Sequence, residues 1–256
     1  MSLEMLKNRF TYRVFAQKKK NIRTALDCAY ADMSRRQNGH TPELKEACID
    51  YLETVFSSPL KIDDFDNWHK NLTHELISKW NAQVADFGTV GKAQKVINMA
   101  FKYLSCIPND FDGILPNCHM TLDSYTLEWY EIKVKPWAKS QKKPVGKKVS
   151  AWSKITSYEE YLTIQNNIRD YLATNANYSI LIGGKSTPEI KLPVAPMKAE
   201  FIVWEGQIVE RKYNGLIKLL DNYAKEKQEL PSGQGYDDWL INTLFQDYLK
   251  DYINKF

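Results

Sequence analysis

Cysteine is scarce in this 256-residue sequence, and no two of the 4 cysteines (Cys28, Cys48, Cys106 and Cys118) form a C-x-x-C pair. Isolated cysteines provide neither a dense disulfide framework nor the clustered ligands of a structural zinc site. The first residues also lack the basic and then apolar arrangement of a secretory signal. We therefore expect a cytoplasmic protein of a reducing compartment, without a metal site and without another cofactor.

Long apolar runs are missing as well, because Lys, Glu or Asn interrupts each apolar stretch within about ten residues, too short to span a bilayer. No membrane partner is therefore expected. The formal net charge of +4, from 35 Lys and Arg against 31 Asp and Glu, is too small to indicate a nucleic-acid partner by itself. An apolar fraction of 43% and a charged fraction of 26% exclude bulk disorder and are typical of a globular protein.

Helical periodicity dominates what is present. Apolar residues recur at steps of three and four, which is typical of amphipathic helices, and Thr41-Pro42-Glu43 is a strong helix start. The pattern predicts a mainly α fold, arranged as a single helical domain over residues 1–256 or as two lobes packed around 87–131. Helices are predicted over 3–36 with a break at 18–20, 42–57, 63–82, 93–104, 124–133, 158–172, 215–227 and 237–255, whereas 178–184 and 197–204 stay ambiguous.

Residues 133–150 interrupt this pattern with many lysines, two prolines and a glycine, which predicts a basic loop. Trp137 and Trp152 flank the charged cluster. Two interpretations remain open at this point. The loop is either a solvated connector or a surface on which lysines such as Lys142 and Lys143 contact a phosphate backbone.

The most informative stretch is 87–131. Gly88-Thr89-Val90-Gly91 predicts a tight turn between two helices, which gives a helix-hairpin-helix-like element near 75–106. The second helix carries Lys95. A loop then leads through His119-Met120-Thr121-Leu122-Asp123 to a new helix, with Asp123 at its N-terminus.

This order of parts resembles the helix-hairpin-helix DNA glycosylase superfamily, especially its 8-oxoguanine glycosylase branches. The resemblance covers about 45 of the 256 residues, with Gly88–Gly91 as the hairpin, Lys95-Val96-Ile97-Asn98 on the lysine helix and 119–125 as the aspartate segment. It implies an all-α DNA repair enzyme, a hydrolase or lyase, that removes a damaged purine from DNA. Lys95 would be the nucleophile and Asp123 its electrostatic partner. Lys95 lies about two residues later than the family's lysine usually does, so Lys92 is an alternative.

Physical chemistry gives these residues consistent roles. A lysine amine attacks only when it is unprotonated, and nearby cations such as Lys92 and Lys102 favour that form. A carboxylate at a helix N-terminus, such as Asp123, is held ionised by backbone N–H groups. The hairpin would present amides to a DNA phosphate, and an extruded base would enter a pocket. The candidate nucleic-acid contacts are Gly88, Gly91, Lys92, Lys102, Lys142 and Lys143, and the candidate pocket residues are His119, Tyr125, Trp129 and Trp204.

Plainer interpretations exist for each residue. Asp123 alone is typical of an N-cap, Lys95 of a solvated helix lysine, and His119 of a hydrogen-bonded polar group in a loop. The segment 199–205, with two acids around an apolar run, predicts a buried element with solvated ends. Two other functions also remain open: a non-catalytic nucleic-acid-binding module, or a helical interaction protein in a phage or defence context.

Overall fold

The computed structural model describes residues 3–15, 18–35, 37–58, 62–107, 113–174, 176–182 and 185–227, and these residues are mainly helical. The predicted fold class is therefore confirmed. No helix among them is both long enough and apolar enough to cross a membrane. The helices are α1 (Leu3–Phe15), α2 (Ile22–Ser34), α3 (Pro42–Ser57), α4 (Phe65–Gln83), α5 (Val90–Leu104), α6 (Ser124–Trp129), α7 (Lys135–Ser140), α8 (Tyr158–Ala173) and α9 (Pro196–Lys227).

Four two-residue strands complete the described structure. Strand β1 (Asn177–Tyr178) pairs antiparallel with β4 (Ile190–Lys191), and β2 (Leu181–Ile182) pairs antiparallel with β3 (Lys185–Ser186). The ambiguous segment 178–184 thus contains strand residues, whereas 197–204 is helical and belongs to α9. The predicted helix at 237–255 lies outside the described residues.

The chain divides into two compact units. The first contains the residues up to Tyr178 together with Glu189–Gln207, and the second contains Ser179–Pro188 and the chain from Ile208 onward. The whole of segment 87–131 belongs to the first unit, as does the beginning of α9 over 196–207. All residues of the candidate site described below therefore lie in one unit.

The helices begin where the sequence provides capping side chains. Thr41 Oγ1 accepts the amide of Leu44 at 3.2 Å at the start of α3, with Pro42 in the first helical position. Ser157 Oγ accepts the amide of Glu160 at 3.2 Å at the start of α8. Because such caps involve residues three positions apart, they were predictable from local sequence.

Helix α5 is the centre of the first unit. Every residue of α5 except Lys92 is buried, and α2, α4 and α8 pack against it. Its polar side chains are therefore enclosed along with its apolar ones. A helix with this much burial brings Lys95 and Lys102 into the interior, where each charge needs a partner.

The basic loop predicted over 133–150 is wrong for its first part. Residues 124–140 form a continuous helical stretch in which a π-helical turn, Tyr130–Val134, joins α6 to α7. The wider turn accommodates Pro136, whose missing N–H would interrupt a regular α-helix. Helix α7 ends where Lys142 adopts a left-handed conformation (φ 55°) and Lys143 N–H reaches back to the carbonyl of Ala138 at 2.9 Å.

Gly91 permits a close approach that another residue would prevent. Its N–H donates to the carbonyl of Ile155 at 2.9 Å, and a Cβ at this position would overlap the carbonyl oxygen of Trp152. We expect Gly91→Ala to lower the free energy of unfolding by about 1–3 kcal/mol, because the segment around Trp152 must shift. Urea unfolding measures this loss. Gly113→Ala is the matched control, because a Cβ there meets nothing within 4 Å, and equal losses for the two variants would contradict the prediction.

Candidate active site

Lys95 and Asp123 face one another. Lys95 Nζ lies 3.4 Å from Asp123 Oδ2, although the residues are 28 positions apart in the sequence. Their side chains are only 9% and 12% exposed. Lys95 is thus not a solvated helix lysine. Because the pair is buried, solvent and salt screen its attraction less than that of a surface ion pair.

Asp123 is also the N-cap of α6, so it is at once a capping residue and the partner of Lys95. Its Oδ1 accepts the amides of Tyr125 at 2.9 Å and Thr126 at 3.1 Å, while Thr126 Oγ1 accepts the Asp123 amide. Burial alone would raise the pKa of Asp123. The charge of Lys95, the two backbone amides and the charge of Lys102 more than offset burial, and the pKa lies below its usual value.

Three half-buried aromatic side chains surround the pair. Trp204 of α9 donates its Nε1–H to Asp123 Oδ2 at 3.1 Å, and its ring meets Tyr125 edge to face at 6.1 Å. Lys95 Nζ lies 5.1 Å from the ring centre of Trp152. Sequence reasoning placed Tyr125 and Trp204 near the site but noticed Trp152 only as a flank of the basic cluster.

Glutamine side chains from two helices fix the backbone that leads to Asp123. Gln165 of α8 binds both the N–H and the carbonyl of Met120, at 3.1 and 2.8 Å. Gln94 of α5 does the same for Leu122, at 3.2 and 2.9 Å. These residues were missed in the sequence, where an amide within a helical stripe carries no signal of its partner.

A second buried ion pair lies two turns along α5. Lys102 Nζ contacts Glu200 Oε1 at 2.7 Å, and both side chains are 1% exposed. Glu200 Oε2 also accepts the amide of Thr121 at 2.7 Å. The prediction that Lys102 contacts nucleic acid is therefore wrong. The prediction of solvated ends for 199–205 is also wrong, because Glu200 and Glu205 are both buried.

The hairpin amides do not point outward. Gly88 N–H donates to Asn81 Oδ1 at 2.6 Å, and Gly91 N–H is bonded to Ile155 as described above. They are thus engaged within the protein, and their predicted role in phosphate binding is wrong. Lys92 Nζ donates to the carbonyl of Phe87 at 2.8 Å, and burial lowers its pKa.

The remaining predicted residues lie apart from the ion pair or inside the core. Trp129 is 2% exposed and packs against Tyr171, while Lys142 is exposed at the end of α7. Lys143 pairs with Asp170 at 2.7 Å. The structure therefore brings Lys95, Asp123, Tyr125 and Trp204 together, whereas Trp129 and Lys143 are in other contacts and Lys142 is exposed.

His119 belongs to a buried polar network rather than to a ligand pocket. Its Nδ1 lies 2.7 Å from Tyr161 Oη and its Nε2 lies 2.7 Å from Asp66 Oδ1. Burial lowers the pKa of His119 to about 4, so its Nε2–H donates to Asp66 as a neutral imidazole at neutral pH. Arg169 Nη1 and Nη2 also bind the carboxylate of Asp66. The pattern is that of a hydrogen-bonded loop residue, one of the alternatives left open by the sequence.

Three cavities, of about 600, 550 and 480 Å³, lie elsewhere in the described structure. Their described lining residues do not include Lys95 or Asp123. Within the described residues, no group of three His, Cys, Asp or Glu side chains could hold a metal ion. Comparisons with protein-family models, curated proteins and solved structures each found no significant match to this chain.

Proposed function

We propose that this protein is a DNA N-glycosylase with lyase activity that removes a damaged purine. The observation that carries the proposal is the 3.4 Å contact between Lys95 Nζ and Asp123 Oδ2. The resemblance to helix-hairpin-helix DNA glycosylases assigns these two residues the nucleophilic and electrostatic roles. The contact supports the proposal because action on one sugar requires these two side chains to lie close together.

The chemistry balances with these two groups. Unprotonated Lys95 Nζ gives its electron pair to the anomeric carbon, and the bond from that carbon to the purine nitrogen breaks. The bonding electrons leave with the purine, which takes up a proton. Positive charge develops on the sugar, where the Asp123 carboxylate stabilises it. Loss of a proton from the new amine and opening of the sugar ring then give an imine that borohydride reduces.

The surroundings of the pair suit a nucleotide in two ways. Tyr125 and Trp152 provide aromatic faces on which an extruded base can stack. Lys147, Lys148 and Lys154 are exposed on the segment that carries Trp152, and they provide charges for the DNA backbone. These lysines replace the hairpin amides as the proposed phosphate contacts.

Borohydride trapping tests the proposal. The protein is incubated with duplex DNA that carries 8-oxoguanine or an abasic site, and covalent adducts are separated by denaturing electrophoresis. We expect an adduct with the native protein and none with Lys95→Ala, because the alanine variant has no amine at this position. Lys92→Ala is the matched control and should keep the adduct.

Asp123→Asn separates the charge of Asp123 from its capping role. Asparagine caps a helix as well as aspartate does, so the N-cap should be kept while the negative charge is lost. We expect trapping by this variant to slow by at least about a hundredfold, the lower range for loss of a charge-stabilising group. No adduct with native protein on either DNA rejects the lyase proposal, and salt-dependent binding without an adduct would favour the non-catalytic module.

A further inference from the structure

The ion pair loses its cation during the proposed reaction. Lys95 must be unprotonated to attack, which leaves Asp123, only 8% exposed, without the ammonium group beside it. A buried carboxylate that lacks a compensating partner tends to take up a proton. A protonated Asp123 could not stabilise positive charge on the sugar, so the groups that remain around the carboxylate must keep it anionic.

Trp204 donates to the oxygen that Lys95 leaves. Its Nε1–H lies 3.1 Å from Oδ2, whereas the amides of Tyr125 and Thr126 bind Oδ1. An indole N–H is a donor only, so this hydrogen bond stabilises the carboxylate more than the protonated acid. Because the indole N–H does not titrate, it remains a donor whatever the protonation state of Lys95.

The second ion pair holds the indole in place. Lys102 Nζ lies 5.0 Å from the ring centre of Trp204, and Glu200 fixes Lys102 at 2.7 Å. A cation near an indole ring polarises it and strengthens its N–H as a donor. Phe10 packs edge to face on the same ring at 6.1 Å. Trp204 is thus fixed between the two ion pairs.

We propose that Trp204 is a positioning residue whose N–H holds Asp123 Oδ2 in place and keeps the carboxylate anionic when Lys95 acts as nucleophile. Its catalytic consequence rests on the proposed function, but the hydrogen bond and its effect on Asp123 do not. Sequence reasoning made Trp204 a pocket or stacking residue; its N–H is instead directed at Asp123. Among the described residues, the charged groups that face Asp123 are Lys95 and Lys102 of α5. Lys102 is itself paired with Glu200 of α9.

Trp204→Phe tests this role, because it keeps an aromatic ring and removes the N–H. We expect the titration midpoint of the Asp123 carboxyl, followed by carbon NMR of aspartate-labelled protein, to rise by about one pH unit. In a plot of the trapping rate against pH, the acidic limb should move to higher pH by the same interval. Trapping would then be about tenfold slower on that limb and would recover as the pH is raised. A loss of folded protein that is equal at every pH would not produce such recovery.

Trp137→Phe is the matched control, since Trp137 is a half-buried tryptophan of α7 that packs against Tyr171. It should leave both the titration and the rate profile unchanged. An unchanged Asp123 titration in Trp204→Phe, or a trapping loss that is equal at every pH, would overturn the role of Trp204. If native protein forms no adduct while the Asp123 titration still shifts, the proposed function fails and the effect of Trp204 on Asp123 stands.

Discussion

Replacing Lys102 with methionine is expected to lower the free energy of unfolding by about 3–5 kcal/mol. Methionine fills a similar volume but leaves the Glu200 carboxylate, 1% exposed, without its cation. A buried charge without a partner is among the most destabilising changes in a protein interior. Urea unfolding monitored by tryptophan fluorescence measures the loss.

Lys45→Met is the matched control. Lys45 contacts Asp27 at 2.7 Å, the same distance as in the buried pair, but these side chains are 38% and 42% exposed. An exposed pair contributes less than about 1 kcal/mol. The double variant Lys102→Met with Glu200→Gln should recover much of the loss, because the glutamine oxygen can still accept the Thr121 amide. Equal losses for Lys102→Met and Lys45→Met would show that burial of the pair carries no penalty.

Mild acid should destabilise the protein well above the range in which exposed carboxylates titrate. Burial lowers the pKa of His119 to about 4, whereas an unfolded histidine has a pKa of about 6.5. Between these values the unfolded chain binds the proton and the folded chain does not, so stability falls as the pH decreases from about 6.5 to 4. A shift of this size corresponds to about 3 kcal/mol from His119. Burial and the neighbouring His119 also lower the pKa of His69, which acts in the same direction.

Urea unfolding at several pH values between 4.5 and 7.5 gives the slope of stability against pH. His119→Gln should reduce that slope, because one of the buried imidazoles no longer titrates. His40→Gln should not change it, because His40 is exposed. Stability that stays constant from pH 7 to 5 would contradict the burial of two neutral imidazoles.

Local features of the fold could be predicted from the sequence, and long-range ones could not. The start of α3 at Thr41 and the N-cap role of Asp123 depend on residues two or three positions apart. The partner of Lys102 is 98 residues away, and only the packing of α9 against α5 brings it there. Periodicity likewise could not show that a π-helical turn would accommodate Pro136.

The candidate site divides in the same way. Lys95 and Asp123 were chosen from a resemblance in the order of structural elements. Helical periodicity could not pair them, because it relates only residues a few positions apart and these two are 28 apart. Gly88 lies between α4 and α5, whereas Gly91 is already in the first turn of α5, and the partners of their amides, Asn81 and Ile155, lie outside the glycine turn. A turn motif predicts where backbone amides are available as donors, but it does not predict which acceptor groups bind them.

The stretch from Met120 to Leu122 has neither helix nor strand geometry, yet Gln165, Glu200 and Gln94 bind its backbone in turn. Its conformational entropy is lost when the protein folds, before any ligand arrives. The acid at its end is consequently preorganised, and binding energy from a ligand need not be used to order it.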